Sequence, residues 1–281
     1  MTMVTMSGVW DRTTEVLSGR AGMLAAIAIP TLFLPTIVRD GYVVYATPGT
    51  TFFAVIGALL SLIVTVITLW GQLAIIAASI DPANDRAAAT RIATNRLLPV
   101  IGVSILLVIA VVLSLIPAIA LFAAAGIDFS ALAAGSTKPT ITNGGAMAGA
   151  LLYLFVWGVA VFFVSARLAI WQSVLVEERL GLRSISRAWA LTKGLTWRIV
   201  GVILLFGIVL VVAAGAAQAV VGIIFRLILG ANNIATSTFL ASIAGSLVTV
   251  PLMVLAIVFT AQLYRACADA RGMTTMDSSP S

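Results

Sequence analysis

The chain contains no histidine and only one cysteine, Cys267, among its 281 residues. Histidine is the commonest metal ligand and the usual general base near neutral pH, so its absence excludes much ordinary catalytic chemistry. A single cysteine also excludes an internal disulfide framework. The ten acidic residues show no metal-ligand spacing, and the sequence has no phosphate-binding glycine loop. We therefore expect a protein that is not an enzyme and that holds no metal or other cofactor.

Charged residues are scarce as well. They make up 9% of the chain, whereas 61% is hydrophobic and the mean hydropathy is +1.15. A soluble domain cannot bury so much apolar surface, so the composition predicts an integral membrane protein. The net charge of +6 is spread over the ends of apolar runs and forms no long basic tract. We therefore expect no nucleic-acid partner.

Six apolar runs are long enough to cross about 30 Å of hydrocarbon. They occupy residues 21–39, 51–80, 97–125, 146–176, 197–229 and 239–264. The sequence thus predicts an all-α integral membrane protein, a six-transmembrane-helix bundle that forms one domain over residues 1–272. A polar, disordered tail is expected at residues 273–281. Residues 1–20 mix charges into an amphipathic pattern, so we expect no removable signal peptide.

The chain also shows signs of three tandem helix-pair repeats, at about residues 1–81, 82–177 and 178–272. The second run of each pair ends in a similar sequence, and the three sequences stand at equal intervals along the chain. They are Gln72-Leu73-Ala74-Ile75, Arg167-Leu168-Ala169-Ile170 and Gln262-Leu263-Tyr264-Arg265. Each unit contains a surface helix and two spans, so the repeats are predicted to be parallel, about an axis along the membrane normal.

The repeats place Gln72, Arg167 and Gln262 at equivalent positions near one end of the bundle. An arginine inside the hydrocarbon would cost roughly 2.5 to 3.5 kcal/mol, so Arg167 needs a partner or must reach the headgroups. One interpretation is that Arg167 extends to the headgroups. Another is an intramembrane polar cluster of Gln72, Arg167, Gln172 and Gln262 at the centre of the bundle. Direct contact with a substrate is a third.

The positive charges predict the orientation of the bundle. All but three of the 16 lysine and arginine residues fall in the segments on one side of the predicted membrane. The exceptions are Arg39, Lys138 and Arg226. Because excess positive charge marks the cytoplasmic side, both termini are predicted to be cytoplasmic.

Residues 167–198 form a basic connector between the fourth and fifth runs. As a helix, the segment would carry Arg179, Arg183 and Arg187 on one face and Trp189 on the opposite arc. This pattern is typical of a helix that lies in the headgroup plane. Each arginine near anionic lipid would contribute about 1 kcal/mol. These four residues are therefore candidate contacts for anionic phospholipid or a partner, although the helix could serve only as an anchor.

Two motifs in the second half of the chain resemble a bacterial family of six-span membrane proteins. The motifs are Glu177-Glu178-Arg179, Ser186 to Gly194 and Trp197-Arg198 in the connector, and Leu263-Tyr264-Arg265 with Asp269 and Arg271 near the end. The family is related to the membrane domain attached to some glycerophosphoryl diester phosphodiesterases. The resemblance implies a bacterial inner-membrane module of poorly defined activity. It does not imply phosphodiesterase activity, which in the fused proteins belongs to a separate soluble barrel.

Three functional hypotheses follow. The first is a non-catalytic module of the bacterial inner membrane that scaffolds a protein partner or organises anionic phospholipid through its basic cytoplasmic face. The second is a transporter or channel for a lipid-like or small amphiphilic solute, with a path past Gln72, Arg167 and Gln262. The third, an intramembrane enzyme, requires carboxylates that are distant in sequence to converge in the fold.

Overall fold

The computed structural model describes residues 5–46, 51–129, 141–178, 181–230 and 233–277, with side chains described as far as residue 270. The described residues are mostly helical and include no strand. The helices are α1 (Met6–Ala28), a π-helical turn (Ile29–Phe33), α2 (Leu34–Tyr45), α3 (Thr51–Ile80), α4 (Arg86–Ser114), α5 (Ile116–Ala124), α6 (Gly144–Arg167), α7 (Trp171–Glu178), α8 (Arg183–Leu191), α9 (Thr196–Leu229) and α10 (Ile234–Asp277).

Six helical segments of the described chain are long and apolar enough to cross a membrane. They are Met6–Tyr45, Thr51–Ile80, Arg86–Ala124, Gly144–Glu178, Thr196–Leu229 and Ile234–Ala270. The prediction of an all-α chain with six helices that could span a membrane is thereby confirmed for the described residues. The tandem repeats and the cytoplasmic interfacial helices stay predictions. Helix α10 continues through residues 273–277, which the sequence placed in a disordered tail, and residues 278–281 lie outside the described part.

The spans are interrupted where the sequence breaks the helical hydrogen-bond pattern. Arg20 has non-helical backbone angles (φ −129°, ψ 17°), so the first helix bends directly before the predicted first apolar run, which begins at residue 21. The π-helical turn begins beside Pro30, and Pro35 lies in the first turn of α2. Pro117 likewise lies in the first turn of α5, where the third span bends. A proline lacks the amide N–H of a helical residue, which explains the distortions near Pro30, Pro35 and Pro117.

Helix α10 is the central element of the bundle. It packs along α9 and also contacts α1, α2, α3 and α7. Helices α5 and α6 lie at the periphery, where α6 contacts only α5 and α9 among the closely packed helix pairs of the described chain. Large apolar side chains of α6 and α9, such as Phe155 and Val211, are exposed. Such side chains suit a surface in contact with lipid tails.

The buried core is concentrated at one end of the bundle, which we call the basic end because Arg20, Arg86 and Arg187 lie there. At this end α3 is enclosed on almost all sides over residues 73–80. The α7 and α10 helices supply much of the surrounding core, including Leu175 and Leu263. The polar side chains considered below are held in place by this packed region.

Candidate functional site

Arg20 covers the end of α3 at the basic end. Its guanidinium donates hydrogen bonds to the carbonyl oxygens of Ala78 at 2.7 Å and Asn84 at 3.2 Å, and also to that of Pro82. The residue four positions after Ala78 is Pro82, which has no N–H to continue the helix. Arg20 therefore supplies a donor that the chain itself lacks, and its positive charge suits the negative end of the helix dipole.

Gln262 on α10 likewise donates a hydrogen bond to a carbonyl at the end of α3. Its side chain is 2% exposed and donates to the carbonyl oxygen of Ser79 at 2.7 Å. The amide N–H of Ala83, which would continue the helix from Ser79, instead donates to the Asp81 carboxylate at 2.8 Å. Gln262 was predicted in a central polar cluster, and its hydrogen bond in the structure goes to the end of α3.

Helix α4 begins later in the chain than the pattern of capping residues suggests. Asp81 followed by Pro82 has the pattern of a helix start, but α4 begins at Arg86. Asp85 is the capping residue, because its carboxylate accepts a hydrogen bond from the amide of Ala88 at 2.7 Å. Asp81 instead closes a turn between the two helices.

Arg167 is the last residue of α6, and a turn at residues 168–170 separates it from α7. The fourth apolar run is therefore not one continuous helix. The Arg167 guanidinium carbon lies 4.5 Å from the centre of the Trp189 ring, in a cation–π contact. Its Nε donates to the hydroxyl of Thr196 at 3.2 Å. Arg167 thus connects the end of α6 to both α8 and the start of α9.

A cleft of about 360 Å³ opens beside Arg167, between α6, α8 and α9. One arginine and three aromatic side chains dominate its lining. The lining residues are Phe163, Val164, Arg167, Trp189, Gly194, Thr196 and Trp197. Phe163 and Trp197 meet edge to face with ring centres 4.9 Å apart. The cleft combines a cation with an apolar wall, so its chemistry suits a molecule with one anionic group and an apolar body.

The turn before α9 places Trp197 at this cleft. Gly194 has a φ of +91°, a left-handed conformation that strains a residue with a Cβ atom. The buried Thr192 hydroxyl lies 2.9 Å from the carbonyl oxygen of Ala188 and 3.1 Å from that of Arg167, so its one proton is shared between the two acceptors at this turn. Trp197 remains 75% exposed, which leaves its ring available to lipid or ligand. Sequence reasoning did not identify Phe163, Thr196 or Trp197 as cleft residues. A tryptophan that follows a glycine within one turn of chain is the sequence signal that could have pointed to Trp197.

Helix α8 contains three of the four residues predicted to contact lipid or a partner. Arg183 and Trp189 are exposed, while Ala188 and Leu191 are buried against the bundle. The helix, which begins at Arg183, is therefore amphipathic, but its buried face is not the arc opposite the arginines on which the sequence placed Trp189. The fourth predicted residue, Arg179, lies outside the described residues.

Arg187 takes part in a network that joins three helices. Its Nε lies 3.0 Å from a carboxylate oxygen of Glu178 at the end of α7. The hydroxyl of Tyr264 on α10 donates to the other oxygen of Glu178 at 3.1 Å. Glu178, Arg187 and Tyr264 come from the two motifs that carry the family resemblance. The two motifs, distant in sequence, therefore meet at one carboxylate.

This network predicts an energetic coupling between Glu178 and Tyr264. We expect Glu178→Gln and Tyr264→Phe each to lower the free energy of unfolding by about 1–2 kcal/mol, since each removes a hydrogen bond to a charged group. The double variant should lose less than the sum, by about 1 kcal/mol. Unfolding in a denaturing detergent series measures all three values.

Glu177→Gln is the matched control, because Glu177 is the exposed neighbour of Glu178 and carries the same charge. We expect its effect to stay within about 0.5 kcal/mol. Equal losses for the two glutamate variants, or strict additivity in the double variant, would show that the network contributes nothing specific.

The predicted polar cluster of Gln72, Arg167, Gln172 and Gln262 is not assembled by hydrogen bonds between these four side chains in the described part of the chain. The described contacts of Arg167 go to Thr196 and Trp189, and that of Gln262 goes to Ser79. Gln72 and Gln172 are half-buried. Arg167 and Trp189, which the sequence placed in two different candidate sets, are instead direct neighbours.

The described residues contain no group of three histidine, cysteine, aspartate or glutamate side chains placed to hold a metal ion. The resemblance to the phosphodiesterase-associated membrane family stays a prediction carried by its motif residues. Comparison of the chain with protein-family models, with curated proteins and with solved structures gives no match.

Proposed function

We propose that this chain is a non-catalytic bacterial inner-membrane protein that binds and organises anionic phospholipid at its basic end, with both termini in the cytoplasm. The observation that carries the proposal is the position of Arg167 at an aromatic cleft on the outer surface of the bundle. The cleft lies where the peripheral helix α6 meets α9, and both helices expose apolar side chains to lipid.

The contacts of Arg167 leave open the edge of the guanidinium that carries its two terminal nitrogens. Trp189 covers one face of the guanidinium plane, and Thr196 accepts from Nε. The two terminal nitrogens make no hydrogen bond to any described residue. A guanidinium donates in its own plane and matches the paired oxygens of a phosphate. A lipid phosphodiester can therefore bind at this edge while Trp189 stays stacked.

The rest of the cleft suits the apolar part of the same lipid. Phe163 and Trp197 form an aromatic wall, and tryptophan is favoured where hydrocarbon meets the headgroups. Helix α8 would lie in this interface, with Arg183 adding a weaker, long-range attraction of about 1 kcal/mol. Headgroup and acyl chain would thus be held by different walls of one cleft.

The non-catalytic part of the proposal is supported by the structural contacts of two described acidic side chains. Glu178 binds Arg187 and Tyr264, and Asp85 caps α4. Close packing near Gln262 argues against the solute path through the centre, since Leu73, Ala74 and Ile75 are fully buried at this level. A lipid site on the side of the bundle needs no such path.

Native mass spectrometry of delipidated protein tests the proposal. We expect Arg167→Gln to weaken binding of phosphatidylglycerol by about tenfold or more, because a charged hydrogen bond contributes about 1.5–3 kcal/mol. Binding of zwitterionic phosphatidylcholine should change much less. The apparent dissociation constants are read from the fraction of protein that carries one lipid as the lipid concentration rises.

Arg183→Gln is the matched control, because it removes the same charge from the exposed face of α8. Its effect on phosphatidylglycerol should stay below about fivefold, the equivalent of about 1 kcal/mol. An equal loss in both variants would assign binding to general positive charge. Unchanged binding in Arg167→Gln would refute the cleft as the lipid site.

A further inference from the structure

A second cavity, of about 180 Å³, lies inside the bundle between α2, α3, α9 and α10. It begins beside the π-helical turn and extends along α2 toward Asp40, away from the basic end. Apolar atoms form much of its surface, but most of the residues that line it carry a polar side chain, although it lies among four membrane-spanning helices. The polar side chains include Thr36, Asp40, Thr68, Gln218, Ser242 and Ser246. Polar residues within spans are costly in lipid and commonly mark binding sites, and π-helical turns are frequent beside such sites.

Two hydroxyl groups of this cavity, those of Thr36 and Ser242, offer acceptors rather than donors. The Thr36 hydroxyl donates to the carbonyl of Leu32 at 2.7 Å, and the Ser242 hydroxyl donates to the carbonyl of Phe239 at 2.8 Å. Each hydroxyl has one proton and two lone pairs, so the proton is already used. The oxygen atoms of these two hydroxyl groups can still accept hydrogen bonds from a bound molecule.

Asp40 adds a carboxylate to these acceptors. One of its oxygens lies 3.2 Å from the guanidinium of Arg39, and the Asp40 side chain is mostly shielded from solvent. A carboxylate has about four acceptor positions, of which this contact uses one. The cavity therefore favours a ligand that carries several hydrogen-bond donors and a positive charge.

Gly245 holds the opposite wall of the cavity in its present shape. A Cβ atom at this position would collide with the side-chain amide of Gln218 on α9. The glycine lets Gln218 lie directly across α10, beside Ser242 and Ser246. The Gln218 side-chain amide, whose nitrogen lies nearest the Gly245 Cβ position, thus adds a polar group beside the hydroxyl oxygens of α2 and α10.

From this arrangement we propose that the cavity is a binding site for a small organic ammonium ion. The N–H groups of the ligand donate to the Thr36 and Ser242 hydroxyl oxygens and to the acceptor positions of Asp40 that Arg39 leaves open. A volume of about 180 Å³ equals roughly six water-sized units, which fits an amine of about four to six non-hydrogen atoms. This site is separate from the Arg167 cleft and does not depend on lipid binding there.

Saturation-transfer NMR on the full chain in nanodiscs, with propylammonium as the probe, tests the inference. We expect saturable binding of propylammonium and at least tenfold weaker binding of 1-propanol, which has the same number of non-hydrogen atoms and no charge. Tetramethylammonium, which has the charge but no N–H donor, should also bind at least tenfold more weakly. Equal signals from the three probes, or no saturable signal from propylammonium, would overturn the proposal and indicate that the cavity holds only water.

Two variants locate the bound probe. Asp40→Asn should weaken propylammonium binding at least tenfold, and Gly245→Ala should weaken it at least threefold because Gln218 must move. Gly222→Ala on α9 is the matched control, since its Cβ would meet Ala241 at an ordinary contact distance of 3.4 Å.

Arg167→Gln should retain full propylammonium binding, which separates this result from the outcome of the lipid experiment. Should Asp40→Asn fail to fold, Gly245→Ala and the comparison of the three probes still decide the question. Unchanged propylammonium affinity in both cavity variants would place the probe elsewhere and refute the site.

Discussion

Replacing Arg20 with glutamine is expected to lower the thermal unfolding midpoint of the detergent-solubilised protein by about 5–10 °C. Arg20 donates to the carbonyls of Ala78, Pro82 and Asn84 at the end of α3. A glutamine side chain is shorter, carries no charge and cannot reach all of these acceptors. Uncovering partly buried carbonyls costs about 1–3 kcal/mol each, and about 1 kcal/mol shifts the midpoint of a domain near this size by about 2–4 °C.

Arg12→Gln is the matched control for this prediction. Arg12 has the same charge and lies on the same helix, but it makes a 3.9 Å ion pair with Asp269. The two side chains are 56% and 59% exposed. Exposed ion pairs contribute little, so the midpoint should move by less than about 2 °C. Similar shifts for the two variants would contradict the role of Arg20 as a helix cap.

The second large effect is expected at the crossing of the first and second spans. Gly71 is buried on α3, and a Cβ atom there would collide with the side chain of Thr31 in the π-helical turn. Because the Thr31 Cβ itself is in the way, a change of rotamer cannot relieve the collision. Gly71→Ala should therefore push the helices apart and lower the free energy of unfolding by about 2–3 kcal/mol. The change is measured by unfolding in a denaturing detergent series.

Gly102→Ala on α4 controls for the change in helix propensity, because nothing lies within 4 Å of the added Cβ position. That variant should be neutral or more stable by up to about 1 kcal/mol. Adding Thr31→Gly to Gly71→Ala should restore part of the lost stability, and the double-mutant cycle isolates the contact. A Gly71→Ala protein as stable as Gly102→Ala would show that the two spans do not approach so closely.

The membrane architecture could be predicted from the sequence because its causes are local. Length and hydropathy fix the six spans, and the missing N–H of a proline distorts the helix within one turn. The π-helical turn accordingly lies beside Pro30, and the bend at Arg20 lies just before the first apolar run. The amphipathic character of α8 also follows from its sequence, but the face that packs on the bundle carries Ala188 and Leu191 and is not the arc opposite the arginines.

The partners of the polar side chains could not be predicted in the same way. Asp81 and Asp85 are both good capping residues. Which of the two caps α4 depends on Arg20 and Gln262, which stabilise the end of α3 from other helices. Gln262 and Ser79 are 183 positions apart in the chain. No pattern in one sequence identifies such a pair.

The two candidate binding sites illustrate the same limit. Arg167 was a candidate from its position at the end of an apolar run, but its neighbour Trp189 became apparent only from the turn at residues 168–170. The acceptor-lined cavity was not predicted at all. Thr36 and Ser242 are unremarkable within apolar spans, and only the packing of α2 against α10 brings them together.

The most direct test of lipid binding at the Arg167 cleft is a cryo-electron microscopy structure of the full chain in nanodiscs that contain phosphatidylglycerol. The predicted result is headgroup density within hydrogen-bond distance of the Arg167 terminal nitrogens. It should continue as an acyl chain along Phe163 and Trp197, with Trp189 still stacked on the guanidinium. An empty cleft, with lipid phosphate ordered only beside Arg183 or elsewhere on the basic end, would contradict the proposed site.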